Sequence, residues 1–296
     1  MQALSERKSR LMKLTDWCAI FEKSDERDFT IYAPDADWLP YPAGAPLPSD
    51  SADLVVGSPP YGTTMRFPSI YKTDKSVAEL EEELQNHIVE FYRVLRAGRY
   101  CVMAVPVVTL IRDETVDWWH MVTSILRETG FEISVPPVIV DLGVRVYRHR
   151  ESDPPKSLWF DIQADQLVFA RKPSDGLNEP RVREITPEKF EAWRSNIWQV
   201  EPEHDPTTLS VNPTAWPREL PYRIIMLTSS PGDLVIDPWC GSARTAAAIM
   251  GGPDHADHPI APRLFIGQDL QGQMAAGTWH LLERDWQQRQ HPWLPL

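Results

Sequence analysis

The stretch Asp53 to Tyr61 reads DLVVGSPPY: a short apolar run, a glycine, then Ser58, Pro59, Pro60 and Tyr61. Leu54, Val55 and Val56, bounded by polar, Gly and Pro residues, predict a buried strand of a parallel sheet. The residues after Gly57 then form a loop at the strand's carboxyl end, the edge of an open α/β sheet where ligands bind. Two prolines fix φ and remove two N–H donors, so this loop offers acceptors only. The pairs Pro136-Pro137 and Pro154-Pro155, in a chain of 28 prolines, show that a proline pair alone carries little. The strand, the serine and the tyrosine in register with the pair carry the reading.

An exocyclic amino group of a nucleobase is a ligand that such a loop suits. Its lone pair is delocalised into the ring, and it becomes nucleophilic when acceptors take both of its hydrogens. Ser58 Oγ and the carbonyl of Pro59 are the candidate acceptors, with Pro60 stiffening the loop and the Tyr61 ring placed to stack on the base.

These residues resemble the signature of the amino-methylating DNA methyltransferases, which is Ser, Asn or Asp followed by Pro-Pro and Tyr, Phe or Trp. A second stretch, DPWCGSART from Asp237 to Thr245, resembles that family's cofactor loop, Asp-Pro-Phe, a variable residue and Gly-Ser-Gly-Thr-Thr. It lies after the catalytic loop. That order is the one of the beta-type, permuted branch, which methylates cytosine N4 or adenine N6 in DNA; protein glutamine methyltransferases carry a similar loop in the reverse order. The resemblance covers about residues 29–105 and 211–285.

The resemblance implies an α/β fold: a Rossmann-like S-adenosylmethionine-dependent methyltransferase sheet with helices on both faces, plus a small target-recognition insertion. Residues 1–143 would be the catalytic half, 144–210 the target-recognition region and 211–296 the cofactor-binding half. It assigns catalysis to Ser58, Pro59, Pro60 and Tyr61. It assigns S-adenosyl-L-methionine to Asp35, Ser229, Asp237, Pro238, Trp239, Gly241, Ser242 and Asp269. For Asp35, Pro34 replaces the usual glycine and Asp37 is a rival; a solvated turn explains it as well. Hydroxyls at 228–230 suit the cofactor's carboxylate and helix capping equally. Ala243 and Arg244 depart from the family's Gly and Thr.

Ser at the first loop position goes mostly with cytosine N4 in that family and Asp with adenine N6. Ser58 therefore points to an N4-cytosine DNA methyltransferase of a restriction-modification or related defence system. N6-adenine methylation is the alternative. A DNA-binding protein that keeps the fold with weak turnover is another, motivated by Ala243 and Arg244. The partners implied are double-stranded DNA and, in such a system, a cognate restriction endonuclease.

For contacts with DNA the segment after Tyr61 offers Arg66 and Lys72, and the Pro-interrupted stretch Gly143–Pro213 gathers Arg145, Arg148 and Arg150. Arginines there suit phosphates or guanine edges, and a solvated rim accounts for the same charges. A net charge of −12 excludes unspecific electrostatic clamping of nucleic acid but not a local basic face. Cys18, Cys101 and Cys240 form no CxxC pair, so neither a disulfide framework nor a zinc site is expected. His255 and His258 sit in a Pro-rich connection, and the chemistry needs no metal. No apolar run reaches membrane-spanning length and the first residues lack a signal's apolar core, which predicts a cytoplasmic protein with no membrane contact.

The scaffold elements follow from periodicity. A short helix is expected within residues 1–28 and a strand at Phe29–Tyr32. Val77, Leu80, Leu84, Ile88, Phe91 and Leu95 mark an amphipathic helix over 74–97 capped by Gly98, and its His87 reads as surface. Strands are expected at 99–106, 131–140, 234–236 and 264–267, and helices at 115–129, before 228 and at 271–288. The Trp residues between 159 and 216 read as core.

Overall fold

A computed structural model describes residues 18–24, 28–31, 47–60, 75–111, 114–143, 164–175, 184–211, 215–250 and 263–269. The strands are β1 (Cys18–Ser24), β2 (Asp28–Ile31), β3 (Ala52–Gly57), β4 (Leu95–Pro106), β5 (Val108–Ile111), β6 (Glu114–Asp117), β7 (Val138–Asp141), β8 (Ala164–Arg171), β9 (Ile197–Gln199), β10 (Leu234–Asp237) and β11 (Leu264–Asp269). The helices, numbered in chain order, are α1 (Val77–Val94), α2 (Trp118–Thr129), α3 (Pro187–Trp193), α4 (Pro206–Val211), α5 (Glu219–Thr228) and α6 (Arg244–Met250).

Nine strands form one sheet in the order β2-β1-β11-β10-β3-β4-β8-β7-β9, and β5 with β6 makes a separate hairpin. The run β1, β11, β10, β3, β4 is parallel throughout. β8 enters antiparallel between β4 and β7. β3 is buried along its whole length, as its unbroken apolar run requires.

Each face of the sheet carries its own core. Leu54, Val56, Val102, Ala104, Val140 and Leu167 pack with Ile224, Ile225, Ala246 and Ala247, which come from α5 and α6. Val55, Cys101, Met103 and Val105 pack with Leu84, Ile88, Val122 and Leu126, from α1 and α2. Alternation along β3 and β4 sends successive side chains to opposite cores. At the amino end of β3 the buried Asp53 carboxylate joins three strands: Arg96 donates to it at 2.7 Å, Arg99 lies at 3.1 Å, and the N–H of Leu234 donates at 3.0 Å.

α1 starts at a capping box, in which Ser76 Oγ accepts from the N–H of Glu79 and Glu79 Oε2 accepts from the N–H of Ser76. It ends at Val94 rather than Ala97, because Leu95 is extended and already paired with Ala52. Gly98 is therefore no helix cap; it sits at φ +77° in an irregularity of β4, where the ladder passes from Ala52–Leu95 to Leu54–Tyr100. α2 is capped as expected by Gly130, at φ +107°. Cys18–Ser24 pairs with β11 as a strand, and the short helix expected within 1–28 rests on positions before it. Its apolar positions Leu4, Leu11 and Leu14 lie outside the described residues.

The stretch 144–210 also holds more scaffold than expected. β8 and β9 belong to the central sheet, and Trp193 and Trp198 are buried in its core. A recognition role for this stretch rests on its remaining residues. Among the described residues no helix is long and apolar enough to cross a membrane, and no group of His, Cys, Asp or Glu could hold a metal ion.

Candidate active site

Two loops leave the carboxyl ends of the neighbouring parallel strands β3 and β10, which pair at Leu54–Val235 and Val55–Ile236. Gly57 is where they touch. A Cβ there would come within 3.0 Å of Asp237 Oδ1, 3.1 Å of Trp239 Cε3 and 3.4 Å of Pro238 Cδ. The residue before Ser58 must be glycine for Ser58-Pro59-Pro60 to lie against Asp237-Pro238-Trp239. Pro59 is buried, while Ser58 and Pro60 are partly exposed.

The second loop is shaped by its own aspartate. Asp237 is buried; its Oδ1 accepts from the N–H of Trp239 at 3.2 Å and its Oδ2 accepts the Thr245 hydroxyl at 2.6 Å. The carboxylate thereby ties the start of the loop to the first turn of α6. Gly241 and Ala243 both take left-handed backbone, φ +48° and +49°, and the N–H of Ala243 donates to Cys240 O at 2.6 Å. Alanine in that region costs about 1–2 kcal/mol. Its fully buried methyl offsets part of this. Ser242 is 2% exposed, and its Oγ has no hydrogen-bond partner. A buried hydroxyl left so costs about 1–3 kcal/mol and suits a loop that meets a polar ligand.

Arg244 is an anchor rather than a loop surface residue. Its guanidinium is buried and lies 2.7 Å from Glu203 Oε2. It also donates to Thr208 Oγ1 at 3.4 Å, and that hydroxyl donates to Asp205 at 2.7 Å. The departure thus fastens the loop to the segment leading into α4.

Trp239 turns to the other core. Its ring meets Phe91 edge-on at 5.4 Å and His87 at 5.5 Å. Trp239 and His87, with Pro59, Pro60, Leu80, Glu83, Leu84 and Trp118, line a cleft of about 20 Å³, room for one water. His87, read as surface from its position on α1, is half-buried against the loop; helical periodicity cannot show a contact made by a loop far along the chain.

Ser229 is the residue that the structure moves out of the site. It caps α5 at the amino end of β10, the opposite edge from the loop. Its hydroxyl donates to Ile225 O at 2.7 Å and accepts from the buried Arg263 at 3.1 Å. The capping alternative wins. Asp269 ends β11, next to β10, so its backbone lies on the site's edge. Asp35, Tyr61, Arg66, Lys72, Arg145, Arg148 and Arg150 lie outside the described residues.

A further carboxylate stands on the same edge. Asp165, at the start of the antiparallel β8, pairs with Pro106 at the end of β4 and with Val140. Burial pushes its carboxyl up to about 6. The sequence signal was slight, one acid at the head of the apolar run Leu167–Ala170.

A mostly parallel sheet wrapped on both faces, with a Ser-Pro-Pro loop and a glycine-containing loop side by side at its carboxyl edge, is the S-adenosylmethionine-dependent methyltransferase fold. Residues 149–269 match the family described as N6_N4_Mtase, DNA methylase. The chain is homologous to type II methyltransferases: M.BglII of Bacillus subtilis is 25% identical over 223 residues, 68% of this chain and 58% of that protein. The chain therefore spans just over half the length of that relative.

Among solved structures, TTHA0409 of Thermus thermophilus, assigned as a DNA modification methylase, superposes with a TM-score of 0.60 at 22% identity, covering 81% of this chain and 89% of that one. The same protein complexed with S-adenosyl-L-methionine gives 0.59 at 21%, over 81% and 90%. The PvuII DNA methyltransferase, cytosine-N4-specific, gives 0.56 at 14%, over 82% and 87%. At such identities the likeness establishes a shared fold.

Proposed function

We propose that this chain transfers a methyl group from S-adenosyl-L-methionine to the exocyclic N4 of cytosine in double-stranded DNA. The observation that carries the reading is the contact at Gly57, which brings an amino-accepting loop and a cofactor-type loop together over adjacent strand ends. Ser58 at the first loop position supports cytosine N4 over adenine N6, as serine does in the family that the loop resembles.

The residues present fit the cofactor: the orphaned Ser242 hydroxyl and the left-handed Gly241 offer it a polar contact and close backbone, and Asp269 stands where ribose hydroxyls are accepted. Pro238 and Trp239 wall the site, Asp237 shapes its loop, and Asp35 takes the adenine amino group. Bound there, S-adenosylmethionine supplies a methyl activated by its sulfonium. Ser58 Oγ and the Pro59 carbonyl accept the amino hydrogens and free the nitrogen lone pair, while Tyr61 stacks on the base. The base has to leave the duplex stack, at a cost of a few kcal/mol. Arg66, Lys72, Arg145, Arg148 and Arg150 contact the DNA backbone and hold the duplex during eversion. The setting is a cytoplasmic restriction-modification system, with a restriction endonuclease as partner.

Incubation with mixed-sequence DNA and labelled cofactor, followed by digestion to nucleosides and mass identification, tests this. N4-methylcytosine is the expected product. N6-methyladenine alone overturns the base assignment, and no labelled nucleoside overturns the activity. Arg244 and Ala243 motivate a second reading, a DNA-binding protein without turnover, for which calorimetry would find no binding at millimolar cofactor.

A further inference from the structure

Methyl transfer moves a positive charge. As the N–C bond forms and the C–S bond breaks, sulfur keeps the bonding pair and becomes neutral, and the amino nitrogen is cationic until it gives up a proton. Ser58 is uncharged, and the prolines beside it add only carbonyl dipoles. The loop itself therefore brings no anion to that nitrogen.

The sheet register brings one. Residues opposite each other in a ladder share a face. Asp165 lies opposite Pro106 and Val140, and its neighbour two residues on, Leu167, lies opposite Ala104. Val140, Ala104 and Leu167 all belong to the core under α5 and α6, as do Leu54 and Val56. Ser58 is two residues beyond Val56 at the end of β3. Ser58 and Asp165 thus stand over one face at one carboxyl edge, with only β4 between their strands. Ser58 is level with Ala104 and Asp165 with Pro106, so two strand spacings and a two-residue rise set their backbones about 12 Å apart, room for a planar ring between the two side chains. Asp165 is partly buried at this edge, and burial raises its carboxyl.

We propose that Asp165 is the proton-accepting carboxylate of this site: it faces the everted base, stabilises the cation developing on the amino nitrogen, and takes the released proton, directly or across one water, before passing it to solvent. A fixed charge in a water-poor site acts on a developing charge without reorganising. Burial holds this carboxyl near neutrality, where it is largely ionised and yet retains a proton better than a surface aspartate does. The proposal rests on the methyl-transfer reading above.

Single-turnover transfer of labelled methyl from S-adenosylmethionine to DNA, by the whole chain, tests it. Asp165→Asn is expected to slow transfer about 10²-fold. Cofactor and DNA dissociation constants should stay within about twofold, and Asp165→Glu should recover part of the rate. The melting temperature of Asp165→Asn should hold or rise, since a carboxyl whose charged form burial disfavours has been removed; a purely structural role would lower it. A rate unchanged in Asp165→Asn, or a loss that tracks weaker binding or a lower melting temperature, overturns the proposal. If the parent protein methylates DNA and Asp165→Asn does so at the parent's rate, this inference alone falls. If the parent transfers no methyl, the activity falls and this inference with it.

Discussion

Gly57 has no side chain because three atoms of the opposite loop occupy the space one would need. The constraint is local and severe, since Asp237 Oδ1 is held by Trp239 and cannot retreat without breaking the loop's own turn. Gly57→Ala is expected to cost about 1–3 kcal/mol of stability by overpacking, read from urea unfolding. It should lower methyl transfer more than it lowers stability, because it separates the loops that the reaction needs together. At Ser229 the expectation runs the other way. Ser229→Ala removes a buried bond from Arg263 and should destabilise by about 1–3 kcal/mol, while cofactor affinity by calorimetry stays unchanged.

α6 and the segment before α4 are tied by charge. Arg244 is buried and the Glu203 side chain is nearly so, and Glu203 also accepts from the N–H groups of His204 and Asp205 through its other oxygen. Removing one partner of such a pair leaves the other charged and desolvated, which costs about 3–5 kcal/mol. Glu203→Ala is therefore expected to lower the unfolding free energy by that order, and to weaken cofactor binding because the loop preceding α6 loses its anchor. Thermal unfolding and calorimetric titration read the two effects. Arg244, a departure from the family's threonine in sequence, is in the structure a compensated one.

Across the whole molecule, stability should carry the signature of Asp165. Its folded carboxyl titrates at about 6 against an ordinary value of 3.8, so the folded state binds this proton more tightly than the unfolded state does. The folded state is then penalised as pH rises from about 4 through 6, and the penalty is complete above that. Relative to the parent, Asp165→Asn should gain stability at pH 8, by up to about 3 kcal/mol, and lose that gain near pH 4. Denaturant melts at the two pH values check the sign.

What the sequence by itself determined was whatever is written in short-range pattern. The apolar run Leu54–Val56, the exit of Ser58-Pro59-Pro60 from its strand, the Asp237-Pro238 turn and the body of α1 are all local, and each appears where periodicity and turn residues put it. The tertiary structure alone decided which ends of the elements meet. Ser229 lies only eight residues before Asp237, yet the full length of β10 separates it from the loop. Asp165 and Ser58 are far apart in the chain, yet β8 inserts antiparallel beside β4 and brings both to one edge. Strand pairing is set by burial on both faces of a shared sheet, a long-range quantity that no window of sequence contains.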